Sequence, residues 1–299
     1  MNEDWRVVFE SRNRAACTDR ALVLESARIP HQIVDDLTGC ALVVPAEFSN
    51  TAVQELRLYD DENPPIIPKP RRVVPQQNPL PGIFSYIIGV CLVAWLAGNA
   101  AFDENWLQAG RVDGVLIRGG EWWRLVTALT LHSGPSHLVG NIVFGSVFGL
   151  FAGRLLGSGV AWFAIVVTAA IGNLLNTMLL ESAHRSIGAS TAVFAALGLV
   201  AGFVWRAKLM SQERWPYRLG PIVGGLALLM YTGTGDANTD VGAHLMGFVS
   251  GFAGGMLLVR FIDALSSIRV QISFGVAAIA LLVAAWVAGL TNSQPPPIM

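Results

Sequence analysis

The stretch TDVGAHLMGFVSGFAGG, residues 239–255, carries a single histidine in a segment that is otherwise mostly apolar and small. Gly242 precedes His244, and Gly247 and Gly251 follow it at a four-residue interval. Small residues at this spacing allow two membrane helices to approach to backbone distance. The stretch therefore predicts a membrane helix that packs closely on a neighbour and brings His244 to the contact.

Composition extends this prediction to most of the chain. Of its 299 residues, 53% are hydrophobic and 14% are charged, and the mean hydropathy is +0.51. These values lie outside the usual range of soluble globular proteins. The formal net charge is only -1, and residues 1–75 carry a large share of the ionisable groups. We therefore expect a soluble domain in front of a membrane domain, with no nucleic-acid partner.

Residues 1–62 predict a small α/β domain. Trp5–Glu10, HQIVDD and CALVVPA have the composition of short strands, and the order is βαββα. Ser11 and Asn13 can cap the first helix, and Asn50 can cap the last. The stretch ESRNRAACTDRALVLESARIPHQIV resembles small bacterial regulatory domains of ferredoxin-like fold, which implies an accessory domain that senses an unknown ligand or partner.

The N-terminal sequence MNEDWRVVFESRNR has no apolar signal region, so the first domain is expected to stay in the cytoplasm. Three cysteines are present. Cys91 lies within an apolar block, and Cys17 and Cys40 lie in the domain expected to be reduced. We therefore expect no disulfide framework.

A proline-rich linker and seven apolar blocks follow. Residues 63–82 contain seven prolines, a density that favours an extended segment. Each later block is near the roughly 20 residues that cross a bilayer. The blocks are near Ile83–Phe102, Ser136–Gly153, Val160–Glu181, Gly188–Trp205, Leu219–Gly233, Val241–Ile262 and Ile272–Leu290. We expect a six-helix core at residues 83–262 and an added helix and tail at residues 263–299.

Basic residues predict the orientation of these spans, because they concentrate in cytoplasmic loops. On the N-terminal side lie Lys69, Arg71, Arg72, Arg154, Arg206, Lys208, Arg214, Arg218, Arg260 and Arg269. The opposite side carries Arg111, Arg118, Arg124 and Arg185. The bias predicts a cytoplasmic N-terminus for an integral multi-pass protein, which we expect in a bacterial inner membrane.

RSIGASTAVFAALG, residues 185–198, places Ser190 in the first turn of a second small-residue helix. The orientation puts Ser190 and His244 at similar shallow depth, each a few residues into its span. On two close-packed helices, a serine and a histidine at matched depth can form a nucleophile and its general base. Taken singly, His244 could equally be a packing residue, and for Ser190 alone the sequence favours packing.

His137 and Asn141 lie four residues apart in LHSGPSHLVGNIVF, so they share one face of the second span. Together with the Ser190 backbone N–H, they could donate hydrogen bonds to an oxyanion. The competing interpretation is that they join helices as polar contacts within the bilayer. No acidic residue is evident in the spans to orient His244, so a dyad is expected.

Four ordered motifs, WWRLVTALTLHSGPSHLVGN, GRLLGSG, IGASTAVFAALG and GAHLMGFVSG, resemble the rhomboid intramembrane serine proteases over about Glu121 to Val259. The resemblance implies an all-α polytopic fold, six helices plus one C-terminal helix. It implies Ser190 as nucleophile and His244 as base, with His137, Asn141 and the Ser190 backbone at the oxyanion. It also implies supporting roles for His132, Phe194 and Gly188, and no metal or cofactor.

Three positions depart from the family pattern. Thr191 follows Ser190 where glycine is usual, and its side chain could crowd a substrate or form a local hydrogen bond. Phe194 can stack on the catalytic histidine but lacks the hydroxyl of the frequent tyrosine. Gly153 stands where a glutamate often anchors a loop.

These features favour an intramembrane endopeptidase whose partners are transmembrane substrates within the lipid bilayer, entering sideways near spans two and five. The alternative is an inactive rhomboid-like chaperone or scaffold. A transporter would want polar residues at midplane depth, whereas here they cluster near one face. A zinc protease is disfavoured because the sequence lacks HExxH.

Overall fold

A computed structural model describes residues 4–36, 39–64, 77–179, 184–207, 223–224 and 240–292. The chain divides into two compact units, Met1–Pro70 and Arg71–Met299. The predicted fifth span, Leu219–Gly233, and the central part of the predicted linker lie outside the described residues, apart from residues 223–224.

The first unit has the predicted order βαββα. Its elements are β1 (Trp5–Ser11), α1 (Arg14–Ser26), β2 (Gln32–Asp36), β3 (Gly39–Pro45) and α2 (Ser49–Glu62). The strands form an antiparallel sheet in the order β1-β3-β2. Alternate residues of the central strand, Leu42 and Val44, are fully buried with Leu24 of α1 and Ala52 of α2. One face of the sheet thus forms the core of this unit with the two helices.

The predicted N-terminal cap is observed for α1 but not for α2. The Asn13 side chain accepts the Ala15 N–H at 3.1 Å, as a cap should. Asn50, however, lies inside α2, which begins at Ser49 without a side-chain cap. The 3-10 turn Ala46–Phe48 leads directly into α2, so its start is set by a continuing turn and the predicted Asn50 cap is wrong.

Cys17 and Cys40 form a disulfide, which corrects the expectation that they do not pair. Helix α1 packs across β3, so the two buried residues face each other with their Cα atoms 6.6 Å apart. They are separated by 23 residues in sequence, and their meeting depends on tertiary packing. Cys91 is a free, exposed cysteine.

The second unit is helical. In chain order its helices are α3 (Leu80–Gly98), α4 (Trp106–Gly110), α5 (Gly114–Arg118), α6 (Arg124–Thr127), α7 (Pro135–Leu156), α8 (Ser158–Leu179), α9 (Ser190–Ala207), α10 (Val241–Leu258), α11 (Ile262–Leu265) and α12 (Ile268–Asn292). Among the described residues, six helices are long and apolar enough to cross a membrane: α3, α7, α8, α9, α10 with its extension, and α12. The predicted all-α polytopic membrane fold behind a small α/β unit is confirmed.

Helices α9 and α10 meet at backbone distance, as the small residues predict. A Cβ atom on Gly198 of α9 would collide with the Phe248 carbonyl oxygen of α10. In the reverse direction, a Cβ atom on Gly251 would collide with the Ala195 carbonyl oxygen. Gly202 and Gly255 continue the same contact one turn further along. This register fixes which residues at the starts of the two helices can face each other.

The C-terminal helix α12 is anchored at two points. Near its start, the Gln271 amide accepts the Gly159 N–H at 3.0 Å and donates to the Leu156 carbonyl oxygen at 2.8 Å. It thereby joins the end of α7 to the beginning of α8. Near its other end, Trp286 Nε1 donates to Thr130 Oγ1 at 3.0 Å. The additional helix is therefore an integral part of the bundle.

Arginines on the side predicted to be external have local partners. Arg124 is buried, and its guanidinium donates to Glu121 at 2.7 Å and to the Gln108 carbonyl oxygen at 2.7 Å. Arg185 donates to the Asp113 carboxylate at 3.0 Å. These contacts give both arginines a structural role that does not depend on membrane orientation.

Candidate active site

A cavity of about 560 Å³ opens among α7, α9, α10 and the segment that precedes α9. The residues predicted for the reaction, and two of the three predicted to support them, line this cavity: His137, Asn141, Gly188, Ser190, Phe194 and His244. The helices that carry them are separated by long stretches of sequence. The fold therefore gathers in one place the side chains that the motifs identified separately.

Ser190 is the first residue of α9. At this position a backbone N–H has no acceptor within its own helix, and the helix dipole is positive. The preceding turn is fixed by Gly188, whose N–H donates to the Ala128 carbonyl oxygen at 3.0 Å. Ser190 thus presents both a hydroxyl and an early-helix N–H at the cavity.

His244 is buried in the first turn of α10 and stacks on Phe194, with ring centroids 4.6 Å apart and an interplanar angle of 27°. Its Nδ1 atom is buried and has no hydrogen-bond partner among the described residues. In that same set of residues, no hydrogen bond joins Ser190 to His244. Catalytic hydrogen bonds are often long before substrate binds, so a serine and a histidine can act together without this hydrogen bond in the free protein.

The hydrogen bonds of His137 determine its tautomer. The Ser133 N–H donates to His137 Nδ1 at 3.4 Å, and Ser133 Oγ lies 3.0 Å from the same atom. Because a backbone N–H can only donate, this contact favours Nδ1 as the acceptor and the neutral tautomer that carries its proton on Nε2. Nε2 is therefore a hydrogen-bond donor.

Gly188 shows where that donor points. A Cβ atom on Gly188 would lie 3.0 Å from His137 Nε2 and 3.2 Å from Ser190 Oγ. The imidazole donor and the serine hydroxyl therefore surround one small space beside this residue. Gly188 also has a φ of +137°, which side-chain-bearing residues rarely adopt. Glycine is required here by both the backbone and the neighbouring side chains.

We expect Gly188→Ala to lower activity at least about tenfold, because it would displace the candidate catalytic residues Ser190 and His137, and small displacements of reacting groups are costly. The strained backbone should also reduce the free energy of unfolding by about 1–3 kcal/mol. Cleavage rate and thermal unfolding in detergent measure the two effects. Gly134→Ala is the control, since nothing lies within 4 Å of its added Cβ and its φ of 174° is extended. Equal behaviour of the two variants would contradict the geometry.

Asn141 is buried on α7, and its Nδ2 donor has no hydrogen-bond partner among the described residues. Its backbone oxygen accepts a hydrogen bond from Tyr86 Oη at 2.7 Å, which ties this turn of α7 to α3. An unsatisfied buried donor costs about 1–3 kcal/mol. Such a group in a cavity wall is poised to donate to a ligand.

His132 lies behind His137, with the two ring centroids 5.4 Å apart, and it is absent from the cavity wall. Burial and the neighbouring His137 lower the pKa of His132 to about 4. It is therefore neutral at physiological pH and packs against the ring that faces the cavity.

The structure shows how two of the unusual positions are accommodated. Thr191 is buried, and its Cγ2 would lie 3.1 Å from a Cβ atom on Gly247. The missing side chain at Gly247 therefore leaves room for the threonine methyl group within the α9–α10 contact. At Gly153, an added Cβ would lie 2.9 Å from Pro79 Cβ. A glutamate side chain there would have to displace the segment that leads into α3.

Sequence reasoning missed a polar cluster at the edge of this cavity. Asp240, just before α10, contacts Asn176 of α8 and His184 of the segment before α9. The position of Asp240 three residues before Ala243, whose N–H it accepts at 2.9 Å, is a recognisable helix-cap signal. Nothing local in the sequence connects Asp240 to His184.

Comparison with known proteins matches residues 119–261 to the Rhomboid domain. The chain is 28% identical over 181 residues to "Putative rhomboid protease YdcA" of Bacillus subtilis, which covers 60% of this chain and 89% of that protein. It is 29% identical over 159 residues to Rhomboid protease GluP of the same organism, and this alignment covers 52% of this chain and 30% of that protein. It is 35% identical over 174 residues to Rhomboid-like protease 3 of Toxoplasma gondii, and this alignment covers 57% of this chain and 64% of that protein. The aligned region thus spans less than two thirds of the latter two proteins.

Proposed function

We propose that the chain is a rhomboid-family intramembrane serine endopeptidase with Ser190 as nucleophile and His244 as general base. The observation that carries the proposal is the convergence of Ser190, His244, His137 and Asn141 on one cavity. A scaffold that only binds helices has no need for this combination. No observation favours the inactive chaperone over the enzyme.

In the proposed reaction, Ser190 Oγ attacks the carbonyl carbon of a peptide bond while His244 takes the hydroxyl proton. The negative oxygen of the tetrahedral intermediate accepts hydrogen bonds from the Ser190 N–H, His137 Nε2 and Asn141 Nδ2. His244 then gives the proton to the leaving amine as the C–N bond breaks. Water, activated by His244, hydrolyses the acyl-enzyme and restores Ser190.

Transmembrane proteins are the proposed substrates, entering sideways from the bilayer beside α7. On this helix, Gly140 and Phe144 line the cavity next to His137 and Asn141. A Cβ atom on Gly140 would meet nothing within 4 Å, so this part of the wall is open. The contribution of the predicted fifth span to this route remains a proposal from the sequence.

Asn141→Ala tests the oxyanion assignment. We expect the turnover rate to fall about 10²- to 10³-fold, since one oxyanion donor is lost. Stability should be unchanged or slightly higher, because the amide donor has no partner to lose. Asn173→Ala is the matched contrast: its buried amide donates to the Leu125 carbonyl oxygen at 2.9 Å, so this variant should be less stable. If Asn141→Ala is destabilised and fully active, Asn141 is a structural residue.

The protein is an integral multi-pass membrane protein. We propose that residues 1–62 form a cytoplasmic accessory domain with an unknown ligand or partner, that residues 63–82 link it to the core at residues 83–262, and that residues 263–299 add the last helix and tail. The proposed location is a bacterial inner membrane.

The cysteine pair provides a test of this orientation. The fold brings Cys17 and Cys40 together as a disulfide, but disulfides persist mainly in oxidising compartments, so in a cytoplasmic unit this pair should be reduced to two thiols in growing cells. We expect both to be alkylated after rapid denaturation in iodoacetamide without a reductant. Alkylation of Cys91 under the same conditions serves as the internal standard. If Cys17 and Cys40 react only after reduction, the unit lies outside the cytoplasm.

Cleavage of a transmembrane model substrate by the purified protein in liposomes tests the proposed function. We expect cleavage by the wild type, and a rate about 10²- to 10⁴-fold lower for His244→Ala, because the general base is removed. Equal rates for both proteins would mean that a contaminant or another site cuts the substrate.

A further inference from the structure

Three polar side chains from three separate elements meet at the edge of the candidate active site. One oxygen of the Asp240 carboxylate lies 2.7 Å from His184 Nε2. Asn176 Nδ2 donates to the same carboxylate, at 2.9 and 3.1 Å from its two oxygens. We refer to Asn176, His184 and Asp240 as the clamp.

Two members of the clamp lie close in sequence to a predicted catalytic residue, and the third belongs to a different helix. His184 is six residues before Ser190, and Asp240 is four residues before His244. Asn176 belongs to α8, which supplies no predicted catalytic residue, and its side chain is buried. The clamp therefore connects the segment before the nucleophile to the start of the base-bearing helix through a third helix.

The charge of Asp240 strengthens this connection. Burial raises the pKa of Asp240, but the Ala243 N–H and His184 outweigh it, so that the pKa lies below its ordinary value of 3.8. The carboxylate is consequently ionised at physiological pH. Hydrogen bonds to an ionised group are shorter and stronger than those between neutral groups.

The clamp is also built into its surroundings. The His184 carbonyl oxygen accepts the Gly114 N–H at 3.0 Å, and the next residues, Arg185–Ser186, pair as strand β5 with β4 (Val112–Asp113). On the other side, a Cβ atom on Gly242 would collide with Asn176 Oδ1. The segment before Ser190 is thus fixed by backbone pairing on one side and by the Asp240 carboxylate on the other.

The close glycine contact between α9 and α10 fixes the distance between the two helix axes along their length. It does not constrain the segment before Ser190, which precedes α9. Because the glycine contact leaves the segment before Ser190 unconstrained, we propose that Asn176, His184 and Asp240 are positioning residues. They set the distance between Ser190 Oγ and the His244 ring. The proposal rests on the proposed protease function and identifies three residues outside the predicted catalytic set that support it.

The test compares His184→Ala, His184→Gln and Gln271→Leu in the full-length protein in liposomes, with cleavage of the model substrate as the assay. We expect His184→Ala to lower kcat about 10- to 100-fold, because small misplacements of catalytic groups cost this much. KM should be nearly unchanged. Glutamine can donate an N–H to Asp240, so His184→Gln should recover most of kcat.

Gln271→Leu is the matched control for stability. Gln271 is a buried amide that joins helix ends, as the clamp does, but at the beginning of α8 and away from the cavity. We expect this variant to lose thermal stability while keeping kcat within about twofold of the wild type. A kcat loss in His184→Ala that matches Gln271→Leu at equal loss of stability would overturn the proposal.

The proposed function and the clamp can fail separately. If the wild type neither cleaves the substrate nor reacts with a fluorophosphonate, the protease function itself is wrong. If the wild type is active and His184→Ala retains its kcat, or His184→Gln restores nothing, the clamp has no positioning role.

Discussion

Ser190→Ala is expected to reduce peptide-bond cleavage about 10⁴- to 10⁶-fold, the range for removal of a serine nucleophile that acts together with its base. The loss should appear without unfolding, because Ser190 Oγ forms no hydrogen bond with any residue in the described part of the chain. Ser190 lies beside the His137 donor and shares the cavity with His244. Ser133 also lines the cavity and contacts His137, but it meets the ring at Nδ1 and not at Nε2.

The measurement is the rate of product formation from a transmembrane substrate in liposomes, with thermal unfolding of each variant recorded in parallel. Ser85→Ala is a suitable control, because Ser85 is a serine of span α3 whose hydroxyl donates to the Pro81 carbonyl oxygen of its own helix. This variant should cleave at the wild-type rate. Substantial cleavage by Ser190→Ala would remove the nucleophile from the proposed mechanism.

Gly251→Ala should lower both the stability of the protein and the rate of cleavage. Its added methyl group would collide with the Ala195 carbonyl oxygen of α9, so α9 and α10 must move apart. Overpacking of this kind costs about 1–3 kcal/mol. The same movement separates the helices that carry Ser190 and His244, and a shift near 1 Å can cost about 10²-fold in rate. We therefore expect loss of both stability and cleavage.

Gly89→Ala provides a matched control, because the same substitution should here leave stability unchanged or raise it. Gly89 lies in the span α3, and a Cβ atom there would meet nothing within 4 Å. Because alanine favours helices over glycine by about 1 kcal/mol, this variant should be as stable as the wild type or more so. Thermal unfolding in detergent distinguishes the two substitutions. Equal stability of Gly251→Ala and Gly89→Ala would contradict the close α9–α10 contact.

Features that depend on local sequence could be predicted. The apolar blocks specify the spans, and the strand-like segments of the first unit specify βαββα, because period and composition act within a few residues. The α9–α10 contact was also accessible, since Gly247 and Gly251 carry the spacing that close packing needs. From that contact followed the hypothesis that Ser190 and His244 face one cavity.

Features that depend on tertiary packing could not be predicted. The disulfide joins Cys17 and Cys40 only because α1 crosses β3. The clamp joins Asp240 to side chains 56 and 64 residues away, and no sequence period spans such distances. The Asn50 cap was wrong because a preceding 3-10 turn leads into α2 at Ser49, two residues before the start that a cap at Asn50 implies.

How the side chain of Thr191 is accommodated, at a position where glycine is usual, could also not be predicted from the sequence. From sequence, a branched side chain next to the nucleophile could have obstructed the substrate. In the structure Thr191 lines the cavity, and its methyl group packs towards Gly247 of the facing helix. The two positions are therefore complementary, with the added side chain of one helix opposite a missing side chain on the other.

Identification of the residue modified by a fluorophosphonate tests the central claim most directly. The wild-type protein, labelled in liposomes and digested, should carry one adduct, on the peptide that contains Ser190. Labelling should disappear in Ser190→Ala and slow strongly in His244→Ala, because the reagent reports an activated serine. An adduct on another residue, or equal labelling of wild type and Ser190→Ala, would contradict the assignment of Ser190 as the nucleophile.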